Sequence, residues 1–153
     1  MGSQEGNRNT YQVYRGRGLA VLIEIEAKVY SPIATALKAK YPGIYVTSEP
    51  APTPPKDLVA SIVQQDSYSS TRKQDNTLRE TFATVMFQVD VYSNQTSGKK
   101  SKAKEVMNDI DEMLFEMNFM RLSLVPIPME DSGYYRLTAR YRAETDGQTL
   151  YRV

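Results

Sequence analysis

A strand, a basic segment and an amphipathic helix follow one another between residues 79 and 118, and this stretch constrains the fold most strongly. Apolar and polar side chains alternate over residues 82–92, a period of two that predicts a half-buried strand. The apolar residues that follow have helical spacing: Ala103, Val106, Met107, Ile110, Met113, Leu114 and Met117. Because acidic residues occupy the remaining surface of this helix, we expect its apolar face to pack on the adjacent strand.

The length and the residue types bound the class of protein. A chain of 153 residues fits one domain with its own core. With 19 basic and 18 acidic residues the net charge is +1, which argues against a general nucleic-acid or membrane-surface binder. The chain has no cysteine and no histidine, which excludes disulfides, thiolate metal sites and histidine-based catalysis. No apolar run approaches the roughly 20 residues that span a bilayer, and no signal-peptide pattern is visible, so we expect a soluble protein made in the cytoplasm.

The sequence predicts a flexible segment followed by an ordered domain. Residues 1–18 are polar and glycine-rich, with Arg8, Arg15 and Arg17 against Glu5, and this composition predicts a flexible N-terminal arm. Tyr11 and Tyr14 keep open the alternative that the arm docks on a neighbouring subunit. Residues 19–153 are predicted to form a single domain.

The segment 19–39 is ambiguous, because its first half alternates as a strand does while helix formers dominate the whole. We favour one helix throughout. The alternative is a strand over 19–30 and a helix that begins at Pro32 with Ser31 as its N-cap. Either helix is expected to end at Tyr41-Pro42-Gly43.

The remaining elements follow from turn residues and alternation. Strands are predicted at 44–49, 58–66, 120–125 and 134–143, with a proline connector at 50–55 that also has the spacing of an SH3 ligand. Residues 68–80 form a long excursion without periodicity, and residues 94–104 a basic solvated loop that ends in Ser101 as a helix cap. We expect Asn118 to adopt the left-handed conformation after the helix, and Asp146-Gly147 to form a two-residue hairpin. The predicted fold class is α+β, a mostly antiparallel sheet of about four to six strands packed against two helices.

Two charged groups invite a chemical interpretation. The helix carboxylates Asp109, Glu112 and Glu116 share a side, but nothing convergent completes a metal site, so a solvated surface is preferred. The arginine row of residues 136, 140 and 142 is open to three interpretations: pairing with a neighbouring subunit, phosphate binding or simple solvation. No general base accompanies the serines and threonines. We therefore predict no enzyme, and neither a catalytic, a cofactor nor a metal site.

Beyond these patterns, an ordered series of segments resembles the tail terminator proteins of tailed bacteriophages, also called tail completion or minor capsid proteins. The resemblance covers residues 30–153 and includes YPGIY at 41–45, the proline connector and the excursion at 68–72. It continues through VMFQVDVYSN, SGKKSKAKEVM, DEMLFEMNFMRLSLVPIP and YYRLTARY to YR at 151–152. The chain departs from the family at Asn118, where glycine is expected; both residues suit a left-handed cap.

This resemblance implies a structural virion protein of the neck or tail that forms a hexameric ring on the head-proximal end of the tail tube. The implied partners are further copies of the chain, the tail tube protein, the head connector or stopper, and DNA passing through the ring lumen; no cofactor and no membrane are implied. Alternatives are a head-closure or adaptor protein of the same neck, and a nucleic-acid module that uses Lys99–Lys104.

In the ring, we expect residues 67–80 and the N-terminal arm to become ordered, and Arg72 or the arginine row of one subunit to meet acidic residues of the next. The candidate interface residues are Tyr68, Arg72, Lys73, Asp109, Glu112, Glu116, Arg136, Arg140 and Arg142.

Overall fold

The computed structural model of the chain describes residues 25–69, 83–129 and 132–152. Two helices and six strands lie within these ranges. They are α1 (Glu26–Lys40), β1 (Tyr45–Thr47), β2 (Leu58–Ser69), β3 (Ala83–Ser93), α2 (Lys99–Glu116), β4 (Met120–Ile127), β5 (Tyr135–Thr145) and β6 (Leu150–Tyr151).

The strands form one sheet in the order β1-β2-β3-β5-β4, and β6 pairs with β5 beyond the end of β4. The β1 and β2 strands are parallel, and every other pair is antiparallel. Both helices pack on one side of this sheet. The predicted class, an α+β fold with a mostly antiparallel sheet against two helices, is confirmed.

The core lies between the helices and one face of the sheet, and every second residue of β3 points into it. Val85, Phe87, Val89 and Val91 point towards the helices and are fully buried. The buried stripe of α2 covers them, as its spacing predicts. Phe119, just after α2, packs its ring edge against Phe87 with the centroids 5.5 Å apart. The predicted packing of this helix on this strand is confirmed.

Helix α1 passes through Pro32, so the alternative of a strand followed by a helix capped by Ser31 is wrong for residues 26–31. A proline in this position removes one helical hydrogen bond. The buried stripe of Val29, Ile33 and Leu37 holds the helix on the sheet despite that loss. The last helical residue is Lys40, and Tyr41 is the C-cap. Gly43, with a φ of +84°, turns the chain away from the helix, so the predicted end at residues 41–43 is confirmed. The favoured prediction of one helix over 19–39 is confirmed only from Glu26, because Ile25 is the N-cap and is not helical. Residues 1–24, which include the predicted arm, lie outside the described ranges.

Helix α2 begins at Lys99, so the prediction of a basic loop over 94–104 and of Ser101 as its cap is wrong. Gly98, with a φ of +71°, turns the chain into the helix, and its carbonyl accepts the amide of Lys102 at 2.9 Å. Lysines therefore occupy the first helical turn. The predicted left-handed end is confirmed: Asn118 has a φ of +70°, and the Phe119 amide donates to the Leu114 carbonyl.

Several boundaries differ from the predictions. The β2 strand runs to Ser69, so it includes the start of the predicted excursion. The β4 strand continues through Pro126, which an edge strand tolerates because it has a neighbour on one side only. The β5–β6 turn spans residues 146–149 rather than two residues. Asp146 stabilises it by accepting the amides of Gln148 and Thr149.

Candidate functional site

The arginine row lies on the face of the sheet opposite the helices, which we call the open face. Side chains of β5 alternate between the core and this face, so its arginines stand beside the residues of β3 that point away from the core. The register pairs Tyr92 with Arg136, Gln88 with Arg140 and Met86 with Arg142.

Asp90 of β3 holds the first arginine of the row. Both Nε and Nη2 of Arg136 donate to Asp90 Oδ1 at 2.9 Å, and the Thr138 hydroxyl donates to the same oxygen. The second carboxylate oxygen accepts Nε2 of Gln88, also at 2.9 Å. The Asp90 side chain is only 8% exposed. Since Arg136 also stacks over the Tyr92 ring at 5.3 Å, it is held within its own subunit.

Arg140 and Arg142 differ from Arg136 in their contacts. Arg140 is exposed, and Arg142 is half-buried. Among the residues that the structure describes, neither belongs to an ion pair, and the buried Nε of Arg142 has no hydrogen-bond partner. These two guanidinium groups are the part of the row that remains available to an external carboxylate.

The predicted acidic residues line a groove between the two helices, with a volume of about 210 Å³. Leu37 and Met113 form its floor, and Glu112 and Glu116 stand exposed at its rim. We call this the α1–α2 groove. Its lining residues are Ala36, Leu37, Lys40, Asp109, Glu112, Met113 and Glu116.

Asp109 is engaged within the subunit. Its Oδ2 lies 2.8 Å from Nζ of Lys40 and accepts a hydrogen bond from the Tyr41 hydroxyl. Desolvation opposes ionisation of this carboxyl, but the hydrogen bonds from Lys40 and Tyr41 outweigh it and lower its pKa below the usual value. For Tyr41, burial and then the bond to Asp109 raise the pKa. Within the described part of the chain, Glu112 and Glu116 belong to no ion pair.

The β4 strand forms an exposed apolar edge that the sequence analysis did not single out. Met120, Leu122, Leu124 and Val125 are each 38–45% exposed. Phe115 of α2 is 59% exposed near the same end of the domain, where Arg152 lies 4.0 Å above its ring. We call Met120–Ile127 the β4 edge. Its signal in the sequence is the run LSLV, whose spacing departs from strict alternation between a buried and a wet face.

Asp111 ties the β4 edge to the domain. Its Oδ1 accepts the Tyr141 hydroxyl at 2.8 Å and lies 3.3 Å from Nη1 of Arg121. Burial, and then this bond, raise the pKa of the Tyr141 phenol. The strand is thus fixed in place while its apolar side chains stay in contact with water.

The structure brings some of the predicted interface residues together and separates others. Asp109, Glu112 and Glu116 share the α1–α2 groove, whereas the arginine row lies across the sheet on the open face. Tyr68 belongs to β2, with its backbone opposite Thr84. Arg72 and Lys73 lie outside the described residues.

Comparisons with known proteins do not place the chain in a family: no family model matches it, and neither does any curated protein. Across the described ranges, no group of three or more acidic side chains is placed to hold a metal ion. None of the helices described here is both long and apolar enough to cross a membrane.

Proposed function

We propose that this chain is a tail terminator protein of a tailed bacteriophage, a structural subunit that closes into a hexameric ring on the end of the tail tube. The ring ends polymerisation of the tube and offers a surface to the head connector. The proposal is supported by the resemblance of the sequence over residues 30–153 and by an α+β domain that leaves specific surfaces unpaired. In this account the protein has no catalytic role.

The observation that carries the proposal is the position of the unpaired charges. Arg140 and Arg142 lie on the open face, while Glu112 and Glu116 lie on the helix side of the sheet. A ring needs a contact between two different surfaces of the same subunit, repeated until it closes. Opposite charges on opposite sides of one domain suit such a head-to-tail contact.

The β4 edge supplies the apolar part of the same contact. Exposed strands with apolar side chains pair readily with another chain, and natural proteins usually protect them. Charges alone give specificity and faster association more than affinity, so a stable ring also needs apolar burial. We infer that the β4 edge is covered by the neighbouring subunit.

We propose fewer intersubunit charge pairs than the sequence analysis allows. Arg136 and Asp109 each have a charged partner in their own subunit, at 2.9 and 2.8 Å. Breaking these pairs to form new ones across subunits would gain little. The proposed intersubunit pairs are therefore Arg140 and Arg142 with Glu112 and Glu116.

A head-closure or adaptor protein of the same neck uses a ring as well, and it would bind the portal assembly instead of the tube. The nucleic-acid alternative draws less support. Two of its lysines have partners: Nζ of Lys99 donates to the Gly133 carbonyl at 3.0 Å, and Lys102 lies 3.4 Å from Glu105. A scattered, partly engaged group of lysines offers few free phosphate contacts.

The test is a charge exchange between the two surfaces. Arg140→Glu and Glu116→Arg should each weaken ring formation, because each places like charges at the contact, and the double variant should restore it. Lys56→Glu, an exposed reversal elsewhere on the domain, is the matched control. Native mass spectrometry across a concentration series gives the readout. A double variant no better than either single variant would contradict the proposed pairs.

A further inference from the structure

The α1–α2 groove has features of a binding site for a short basic segment. Two exposed carboxylates, Glu112 and Glu116, stand beside an apolar floor of Leu37 and Met113. Among the described residues that line the groove, Lys40 is the single cation, and it is paired with Asp109. An occupant of matching chemistry carries arginines for the rim and an aromatic or aliphatic side chain for the floor.

Residues 8–17 of the chain, RNTYQVYRGR, have this chemistry. The segment contains Arg8, Arg15 and Arg17, the aromatic residues Tyr11 and Tyr14, and no acidic residue. We propose that this segment binds in the α1–α2 groove of its own chain, with its arginines on Glu112 and Glu116 and a tyrosine over the apolar floor.

The length of the intervening chain permits this contact. The described structure begins at Ile25, immediately before α1. From there to Leu37 in the groove is about 18 Å along the helix, at 1.5 Å per residue. The eight residues from Arg17 to Ile25 extend to at most about 26 Å. The segment therefore reaches the groove by folding back along α1.

The strength of the contacts favours the same chain over a second copy. Exposed ion pairs are individually weak, so a detached segment would bind the groove poorly at micromolar concentration. A short covalent tether raises its local concentration to about the millimolar range.

The consequence for assembly rests on the proposed function. A segment bound in the groove covers Glu112 and Glu116, the carboxylates proposed to meet Arg140 and Arg142 of the neighbouring subunit. The N-terminal segment then competes with ring closure in the free subunit. Deletion of residues 1–17 should lower the concentration at which rings form.

The absence of cysteine permits a direct test on the full chain. Gln12→Cys places a thiol between the two tyrosines, and Ala36→Cys places one on the exposed wall of the groove. The control pairs Gln12→Cys with Gln65→Cys, which is exposed on the open face beside Gln88. A short bis-maleimide is added to dilute protein, and the mass of each product separates cross-links within one chain from cross-links between copies.

We expect the groove pair to cross-link within one chain at least about tenfold faster than the control pair, because the tether acts on both pairs but only binding in the groove holds residue 12 beside Ala36. Adding Glu112→Gln and Glu116→Gln should slow that reaction about fivefold, since two weak ion pairs are lost. Circular dichroism confirms that each variant is folded. Equal rates for the two pairs, or products between copies only, would overturn the assignment. These readouts come from the free subunit and stand whether or not the ring caps a tail tube.

Discussion

Removing the Asp90 carboxylate tests whether Arg136 belongs to the scaffold of the subunit or to its interface. The variant Asp90→Ala leaves the Arg136 guanidinium without its charged partner and deprives Thr138 and Gln88 of an acceptor. The variant should therefore lose stability in the isolated subunit, before any assembly.

The size of the loss follows from burial. Breaking a buried ion pair by removing one partner costs about 3–5 kcal/mol. The Asp90 side chain is 8% exposed, but that of Arg136 is 27% exposed, so water partly solvates the orphaned guanidinium. We therefore expect Asp90→Ala to lower the free energy of unfolding by about 3 kcal/mol, the lower end of this range. For a domain of this size that loss lowers Tm by about 6–12 °C.

Thermal and urea unfolding followed by circular dichroism measure this loss. Arg140→Ala on the same strand and the same face is the control, and it should stay within about 0.5 kcal/mol of the parent because Arg140 is exposed. Replacing both partners, with Asp90→Leu and Arg136→Met, should recover part of the stability lost in Asp90→Ala. A loss below about 1 kcal/mol for Asp90→Ala would refute this account of the pair and return Arg136 to the interface candidates.

Three further predictions concern the core, an alkaline transition and the exposed edge. Phe119→Ala should lower the free energy of unfolding in urea by about 3–5 kcal/mol, because it leaves a cavity beside Phe87. A loss no larger than that of Phe119→Leu would argue against tight packing at this position. The raised pKa of Tyr141 means that the fold favours the protonated phenol. The protonated Tyr141 phenol contributes its full stabilisation below about pH 10, and this contribution declines as the pH rises towards the folded pKa. Above about pH 10, the free energy of unfolding should therefore fall less steeply with pH in Tyr141→Phe than in the parent. Leu124→Lys should leave Tm nearly unchanged yet abolish higher-mass species in native mass spectrometry, and assembly of this variant at parental concentrations would exclude the β4 edge from the contact.

The best-predicted elements are those whose periodicity is strict. The alternation of β3 and the helical spacing of α2 each identify the residues that face the core, although Asp90 and Tyr92 on the other face of β3 are buried as well. The left-handed conformation of Asn118 could be predicted equally well, because asparagine is one of the few residues other than glycine that adopt it. Local chemistry determines these features, so a single sequence suffices to find them.

Helix α1 was harder to predict, because its sequence supports two periods and contains Pro32. The choice is made by packing: Val29, Ile33 and Leu37 become buried only if residues 26–40 are helical, and that burial depends on the distant strands. The first turn of α2 was missed for a related reason. Gly98 begins the helix through its backbone, whereas the expected signal was a capping side chain.

The candidate site could be predicted only as a list of charges. Which of those charges are available depends on partners distant in sequence, such as Asp90, 46 residues from Arg136. The same holds for Lys40 and Asp109, which meet because α1 and α2 pack side by side. The β4 edge was missed because the run LSLV does not alternate strictly, and the position of this strand at the edge of the sheet follows only from the strand order.

The most direct test of the central claim is electron microscopy of the purified protein mixed with tail tubes. The account predicts six-fold rings, seen alone and on one end of each tube, and tubes that grow no further at the capped end. A protein that remains monomeric at high concentration and leaves both tube ends bare would contradict it.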